Sequence, residues 1–252
     1  MRQILYTILM LPLLCPAASS PSVTLTETNG LAIVGKLLSY SSKTGLIKIR
    51  QEDKTASCSF PALTKESRQQ VVLWQSDKNF QSRSNLDVTF QNHYTHSTSN
   101  IEGTVTDQMT NKKTEQTIGY EDRQFGTYNI TITNESDTPF DDLIADYRIF
   151  FTLCLSDGYV GKYQLAGSET FETLLAGKVW NFSTTSFLSE ISYRPAMGIN
   201  WTGMPVSFGS NILGTWLHIR KRGLDGEWVE RKIEDGEVPR NRDRSDYQKV
   251  YE

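Results

Sequence analysis

The chain has 252 residues, of which 38% are hydrophobic and 22% charged, and its formal net charge is −3. That length permits one large or two small domains, and the composition supplies enough apolar surface for packed cores, which excludes wholesale disorder. A mildly acidic balance also excludes the electrostatic footprint of a nucleic-acid binder.

Residues 1–20 read as a signal peptide. Arg2 supplies the positive start, Ile4 to Leu14 an apolar stretch, and Ala17, Ala18, Ser19 and Ser20 the small residues that predict cleavage near Ser19 or Ser20. The apolar stretch is shorter than the ~20 residues that span a bilayer. Lipidation at Cys15 would tie the chain to a membrane, but that modification favours a small residue just before the cysteine, and Leu14 stands there. The expected setting is therefore exported and soluble: periplasm, cell envelope or extracellular space.

Three apolar-alternating runs follow. Val23 to Thr28 is a short strand, Asn29-Gly30 a two-residue hairpin turn, and Leu31 to Tyr40 a longer strand. After a turn at Ser41 to Gly45, Leu46 to Arg50 alternates, with Ile47 and Ile49 on one side and Lys48 and Arg50 on the other. Gln51 to Lys54 turns the chain into Thr55 to Phe60, where Ala56, Cys58 and Phe60 are the apolar set and Pro61 ends the strand. Thr64 suits a helix N-cap, and Lys65 to Gln75 has helical composition, with Leu63, Val71, Val72 and Trp74 available to close the layer. Residues 22–76 thus predict a small β-barrel with one short helix.

Ser76 to Ser84 lacks periodicity and reads as a linker, with domain limits placing it at 77–84. Residues 85–235 are rich in Thr, Tyr, Phe, Ile and Val. The predicted strands are Asn85 to Asn92, Lys113 to Tyr120, Tyr128 to Asn134, Leu143 to Leu155, Tyr159 to Leu165, Val179 to Leu188, Leu213 to Lys221 and Trp228 to Ile233. Turn signals separate them at Asn134 to Pro139, Asp157-Gly158, Gly198 to Gly203 and Asp225-Gly226. Many strands, short turns and no long helical period predict an all-β sandwich. Residues 236–252 are charged and polar and predict a disordered tail.

Thr26-x-x-x-Gly30, the strand Val34 to Tyr40, Gly45 to Arg50, Ala56 to Pro61 and Leu63 to Glu66 together resemble the Sla-type homology domain, over about a fifth of the chain. The resemblance implies an SH3-like barrel and, in the eukaryotic member, binding of short Asn-Pro-Phe-x-Asp peptides. This chain departs from the pattern at Leu46, at Asp53-Lys54 in place of Asp/Asn-Gly, and at Ser67. The peptide specificity is therefore not carried over, and no binding residue is transferred. Tyr128 to Ser136 followed by Pro139 to Leu143, and Ile212 to Arg220, resemble strands of immunoglobulin or fibronectin type III sandwiches. That likeness concerns architecture only.

Few residues suggest chemistry. His93-x-x-His96 has a metal-like spacing, but the segment reads as strand end or loop and has no third ligand nearby. Asp137, Asp141, Asp142 and Asp146 lack the order of a calcium loop and read as a solvated turn. There is no nucleophile elbow, phosphate loop, dinucleotide fingerprint or zinc-protease motif, and only three histidines are present. Paired carboxylates for glycoside hydrolysis cannot be identified from spacing. Asn129, Asn134, Asn181 and Asn200 begin glycosylation sequons. Cys58 and Cys154 read as buried thiols, although an oxidising compartment permits a disulfide. Among Trp180, Phe182, Tyr193, Trp201, Trp216 and Trp228, Trp201 is the candidate for an exposed, sugar-stacking face, because Gly198, Gly203 and Pro205 surround it.

The expectation is a non-catalytic exported module that binds a protein or peptide partner or plays a structural part. Lys48 and Arg50 on the barrel and Trp201 on the sandwich are the candidate binding residues. No cofactor and no metal are expected. The alternative is a carbohydrate-recognition accessory module, and a cryptic hydrolase comes third.

Overall fold

Alternation at period two builds the first unit. In this computed structural model, which describes residues 22–155, 158, 160–199, 207–239 and 248–249, strands β1 (Ser22–Thr26), β2 (Ala32–Ser41), β3 (Leu46–Gln51) and β4 (Lys54–Ser59) form an antiparallel meander in chain order. Val23, Leu25, Ile33, Leu37, Ile47, Ile49 and Cys58 are buried, together with Leu63, Val71 and Trp74. The expected signal segment, Cys15, Asn200 and Trp201 lie outside the described residues. By internal contacts the chain divides into two units, Met1–Trp74 and Gln75–Glu252.

Curvature in the small sheet shows at Gly35, where a Cβ would run into the carbonyl of Arg50, and at a register shift between Leu37 and Ser39. The first connection is longer than the expected two-residue hairpin. Thr26 pairs with Ala32, leaving Glu27 to Leu31 as the loop. Gly30 supplies the left-handed turn with φ of 88°, while Glu27 is drawn into a bridge with Leu63.

Pro61 sits in a single 3-10 turn, Phe60–Ala62, that ends the meander. Thr64 then caps helix α1 (Lys65–Gln81). The amide of Ser67 donates to Thr64 Oγ1 at 3.3 Å and that of Arg68 to the Thr64 carbonyl at 2.9 Å. Ser67 is buried, and its hydroxyl accepts the Thr26 amide at 2.8 Å, holding the helix start against β1.

The expected linker is mostly helix. α1 continues to Gln81 because the polar residues of its last turns are bonded within the second unit instead of facing solvent. Ser76 donates to the Pro139 carbonyl at 2.6 Å. Asn79 donates to Asp137 at 3.0 Å and to Thr138 at 2.9 Å, and accepts from Asn85 at 3.1 Å. Asp77 pairs with Lys221, whose side chain is 1% exposed, and also accepts the Leu224 amide at 2.9 Å. Arg231 caps the helix end by donating to the Ser82 carbonyl at 2.9 Å.

The second unit contains β5 (Leu86–Thr106), β6 (Lys113–Asn134), β7 (Phe140–Leu155), β8 (Val160–Leu174), β9 (Val179–Ser183), β10 (Phe187–Pro195), β11 (Phe208–Arg222), β12 (Trp228–Gly236) and β13 (Gln248–Lys249). Where the sequence predicts two strands, β6 is one. It runs unbroken through the polar stretch Glu121 to Gln124 because its backbone is paired there on both edges, with β5 and with β10. Beyond Gly126 the second edge passes to β9. β5 likewise extends well past Asn92.

The sheet follows the order β13-β8-β7-β11-β10-β6-β5, with β12 on β11 and β9 on β6. All pairings are antiparallel except the short one between β13 and β8, which places Gln248 and Lys249 of the expected disordered tail in a strand. β10 meets β11 only through Glu190 and Ile191, and at this narrow link the sheet curls over on itself. The enclosed core joins Leu86, Ile130, Ile132 and Trp180 to Leu143, Ala145, Tyr147, Leu217 and Ile219, with Phe80 of the helix packed edge-on to Phe140. A second cluster holds Tyr128, Ile149, Phe151, Leu165 and Phe187. The fold is mainly β, as expected.

Removing Asp77 would leave the Lys221 ammonium buried and without its carboxylate, so Asp77→Ala should cost about 3 kcal/mol. Adding Lys221→Met to that variant should recover most of the loss. Thermal and urea unfolding of both variants measures this; equal stability of the single and double variants would contradict it.

Candidate functional site

On the small unit, the alternation that sends Ile47 and Ile49 inward leaves Lys48 and Arg50 exposed on the outer face of β3. Antiparallel register sets Lys36 beside Arg50 and Thr55 beyond it. Arg50 lines an open groove of about 830 Å³ with Ser22, Val34, Gly35, Lys36 and the turn Gln51 to Lys54. Lys48 lies one step along the strand and does not line it. The lining combines three cations, Lys36, Arg50 and Lys54, two carboxylates, Glu52 and Asp53, and the apolar Val34, which is 54% exposed. Sequence reading found Arg50 by its outward phase. It missed Lys36, Lys54 and Val34, because only the pairing of β2 with β3 and the β3–β4 turn bring them to the same place.

The turn itself is unusual. Gln51 pairs with Lys54, leaving Glu52 and Asp53 as its two central residues. Glu52 sits in the left-handed region with φ of 48°, where a side chain with a Cβ is disfavoured.

A second hollow, of about 400 Å³, lies on the larger unit between Gln91, Asn129, Thr131, Asn181, Phe182 and Ser183. Three neighbouring strands meet there: Gln91 pairs with Asn129 and Asn129 with Ser183. Its wall is made of amides and hydroxyls, one pair of which is closed by Ser183 donating to Asn129 at 2.7 Å. Phe182 also borders the hollow, but its ring alternates to the opposite face, where it packs on Trp180 with ring centres 4.9 Å apart as part of the core. Asn129 and Asn181, noted in the sequence as sequons, both belong to this hollow.

The other sequence candidates are dispersed. His93 and His96 are mid-strand in β5, not in a loop, and an odd spacing on a strand sends them to opposite faces. Asp137 bonds Asn79, Asp141 accepts from Thr173 at 2.8 Å, and Asp146 pairs with Arg220 at 2.7 Å. Asp142 lies within β7 with φ of 52°, and the register with β8 is the same on either side of it. Among the described residues no group of three or more His, Cys, Asp or Glu side chains is arranged to hold a metal ion.

Trp180 and Trp216 are buried, while Trp228 lies between Arg222 at 4.1 Å and Arg220 at 5.2 Å. Cys58 and Cys154 are both thiols. Cys58 is buried, and burial, with a smaller contribution from the nearby Glu27 charge, pushes its pKa up; Cys154 is exposed, contrary to its apolar sequence context, because it falls on the outward phase near the end of β7.

Two carboxylates, the exposed Asp107 and the half-exposed Asp122, are held below the usual range. The backbone amides of Met109 and Thr110 do this for Asp107, and the Thr98 hydroxyl followed by Arg194 for Asp122. A general acid needs a shift in the opposite direction. No helix among the described residues is long and apolar enough to cross a membrane.

No family model matches the chain, and a search of curated proteins finds no match. A solved structure titled "X-ray structure of Northeast Structural Genomics Consortium target SoR45" aligns with 61% of this chain and 88% of its own, at 9% identity and a TM-score of 0.23. A likeness at that level carries no argument about fold or function.

Asparagine tolerates the left-handed region better than glutamate does. Glu52→Asn should therefore stabilise the protein by about 0.5 kcal/mol, read as a raised melting temperature. A lowered melting temperature would show that Glu52 makes a stabilising contact that outweighs its backbone strain.

Proposed function

We propose that the protein is a non-catalytic binding module whose small unit takes an extended peptide along the groove beside β3. The observation that carries this reading is the arrangement of Lys36, Arg50 and Lys54 around the exposed Val34. An extended segment presents alternate side chains to the same face. One apolar residue on Val34, with acidic residues two positions away, matches the chemistry of this groove. Glu52 and Asp53 temper its charge and select against long acidic runs. The resemblance of residues 22–76 to a peptide-binding family agrees with the reading, while the departures at Leu46, Lys54 and Ser67 argue for a different ligand. An exported setting, periplasmic or extracellular, follows from the reading of residues 1–20.

The test is selection of a random peptide library on the full chain, followed by charge reversal. Lys36→Glu with Arg50→Glu leaves the core untouched, since both side chains are exposed. It should weaken the selected peptides by roughly tenfold or more, and Lys48→Glu should have a smaller effect. Peptides that bind the double variant as tightly as the parent would remove the groove from consideration.

The amide- and hydroxyl-lined hollow at Gln91, Asn129 and Asn181 favours a second reading, carbohydrate recognition by the larger unit. Such side chains match the alternating donors and acceptors of a sugar ring. Tryptophan fluorescence against a glycan panel tests this. A signal abolished by Gln91→Ala with Asn181→Ala assigns the hollow, one abolished only by Trp201→Ala assigns that residue instead, and no response to any glycan sinks the reading.

A further inference from the structure

The long strands of the larger unit end the sheet in different ways. Among the described residues β12 pairs only with β11, but it carries Glu230, Arg231, Lys232, Glu234 and Asp235, and β8 carries Lys162, Glu169 and Glu172. β9 is only five residues long. Charge and brevity are the usual protections of an exposed edge.

β5 has neither. It runs for 21 residues, and among the described residues its only strand partner is β6. From residue 88 to residue 101 it contains no Lys, Arg, Asp, Glu or Pro. From Asn92 to Asn100 every residue is exposed, so both faces of the strand, as well as its edge, meet solvent. Half of the backbone N–H and C=O groups along this edge therefore point outward without a partner strand, an open template for another strand.

We propose that this edge is a self-association site, at which β5 of two copies of the chain pair antiparallel about a twofold axis near His96. A strand that meets its own copy must tolerate itself: whatever charge it carries at a position is brought up against the same segment of the other copy. The neutral span from Val88 to Ile101 meets that condition, and the exposed stretch Asn92 to Asn100 is centred on His96. With the axis there, Thr95 lies opposite Ser97 of the other copy, Tyr94 opposite Thr98 and Asn92 opposite Asn100. These hydroxyl and amide pairs stabilise antiparallel strands. The same register sets Asp87 and Glu102, which bound the neutral span, opposite the uncharged Val105 and Phe90. The register shift between Ile101 and Glu102 leaves its extra residue, Ile118, on β6, so β5 itself continues without a bulge. The inference is independent of the ligand of the small unit.

Sedimentation velocity of the purified full chain over a micromolar concentration series tests the proposal. A concentration-dependent dimer is expected, and a monomer throughout overturns it. Thr95→Lys with Ser97→Lys sets lysine opposite lysine twice and should raise the dissociation constant roughly tenfold or more. Gln116→Lys, exposed on β6 of the same hairpin, should leave it unchanged. A dimer that survives the double lysine variant, or is lost equally with Gln116→Lys, overturns the assignment to this edge. Far-UV circular dichroism establishes that each variant folds. In a Cys154→Ser background, His96→Cys should form an interchain disulfide under mild oxidation while Gln116→Cys does not; equal cross-linking of the two places the contact elsewhere.

Discussion

The larger unit depends on one backbone constraint: β6 is 22 residues long and must find hydrogen-bond partners along its edges. It does so with β5 along one side and with β10 and then β9 along the other. The change of partner near Gly126 divides the strand by function. From Lys113 to Thr117 it pairs with β5 alone and its side chains are mostly exposed, and from Gly119 to Gly126 it is the middle of a three-stranded ribbon with mostly half-buried side chains. Beyond it, Tyr128, Ile130 and Ile132 turn inward and become core. Because β10 also touches β11 through two residues, the strand that closes one half of the sheet is the same one that hands it to the other half.

A second constraint comes from buried polarity. Ser76, Asp77 and Asn79 are the kind of residues that normally mark solvent, and here each is matched by a specific partner on the larger unit. Asp77 and Lys221 illustrate why such contacts specify more than they stabilise. Removing water from both charges offsets most of their attraction, yet either one alone would be costly. The arrangement therefore selects one seating of the helix end and penalises alternatives. Arg231 completes it by satisfying a carbonyl at the helix terminus.

The surfaces offered to partners differ in chemistry. The groove beside β3 combines an apolar point with opposed charges, the hollow at Asn129 is made of neutral amides and hydroxyls, and the β5 edge offers backbone. Among the described residues, the carboxylates with lowered pKa, Asp107 and Asp122, are held in their charged form by hydrogen bonds.

Local pattern determined a good deal: the inward phase of Ile47 and Ile49, the outward phase of Lys48 and Arg50, the break at Pro61, the cap at Thr64 and the predominance of strand. Each follows from the alternation of side chains or the geometry of one or two residues, which neighbours in sequence control. Only tertiary structure decided the rest. Lys36 joined Arg50 through cross-strand register, and the expected linker at 77–84 became helix up to Gln81 through partners some 60 and 144 residues away. Polar stretches at Glu121 to Gln124 and beyond Asn92 remained strand through pairing along both edges of β6. In each case the deciding energy lies in hydrogen bonds or ion pairs between segments far apart in the chain, and these leave no periodic trace in the sequence of either segment.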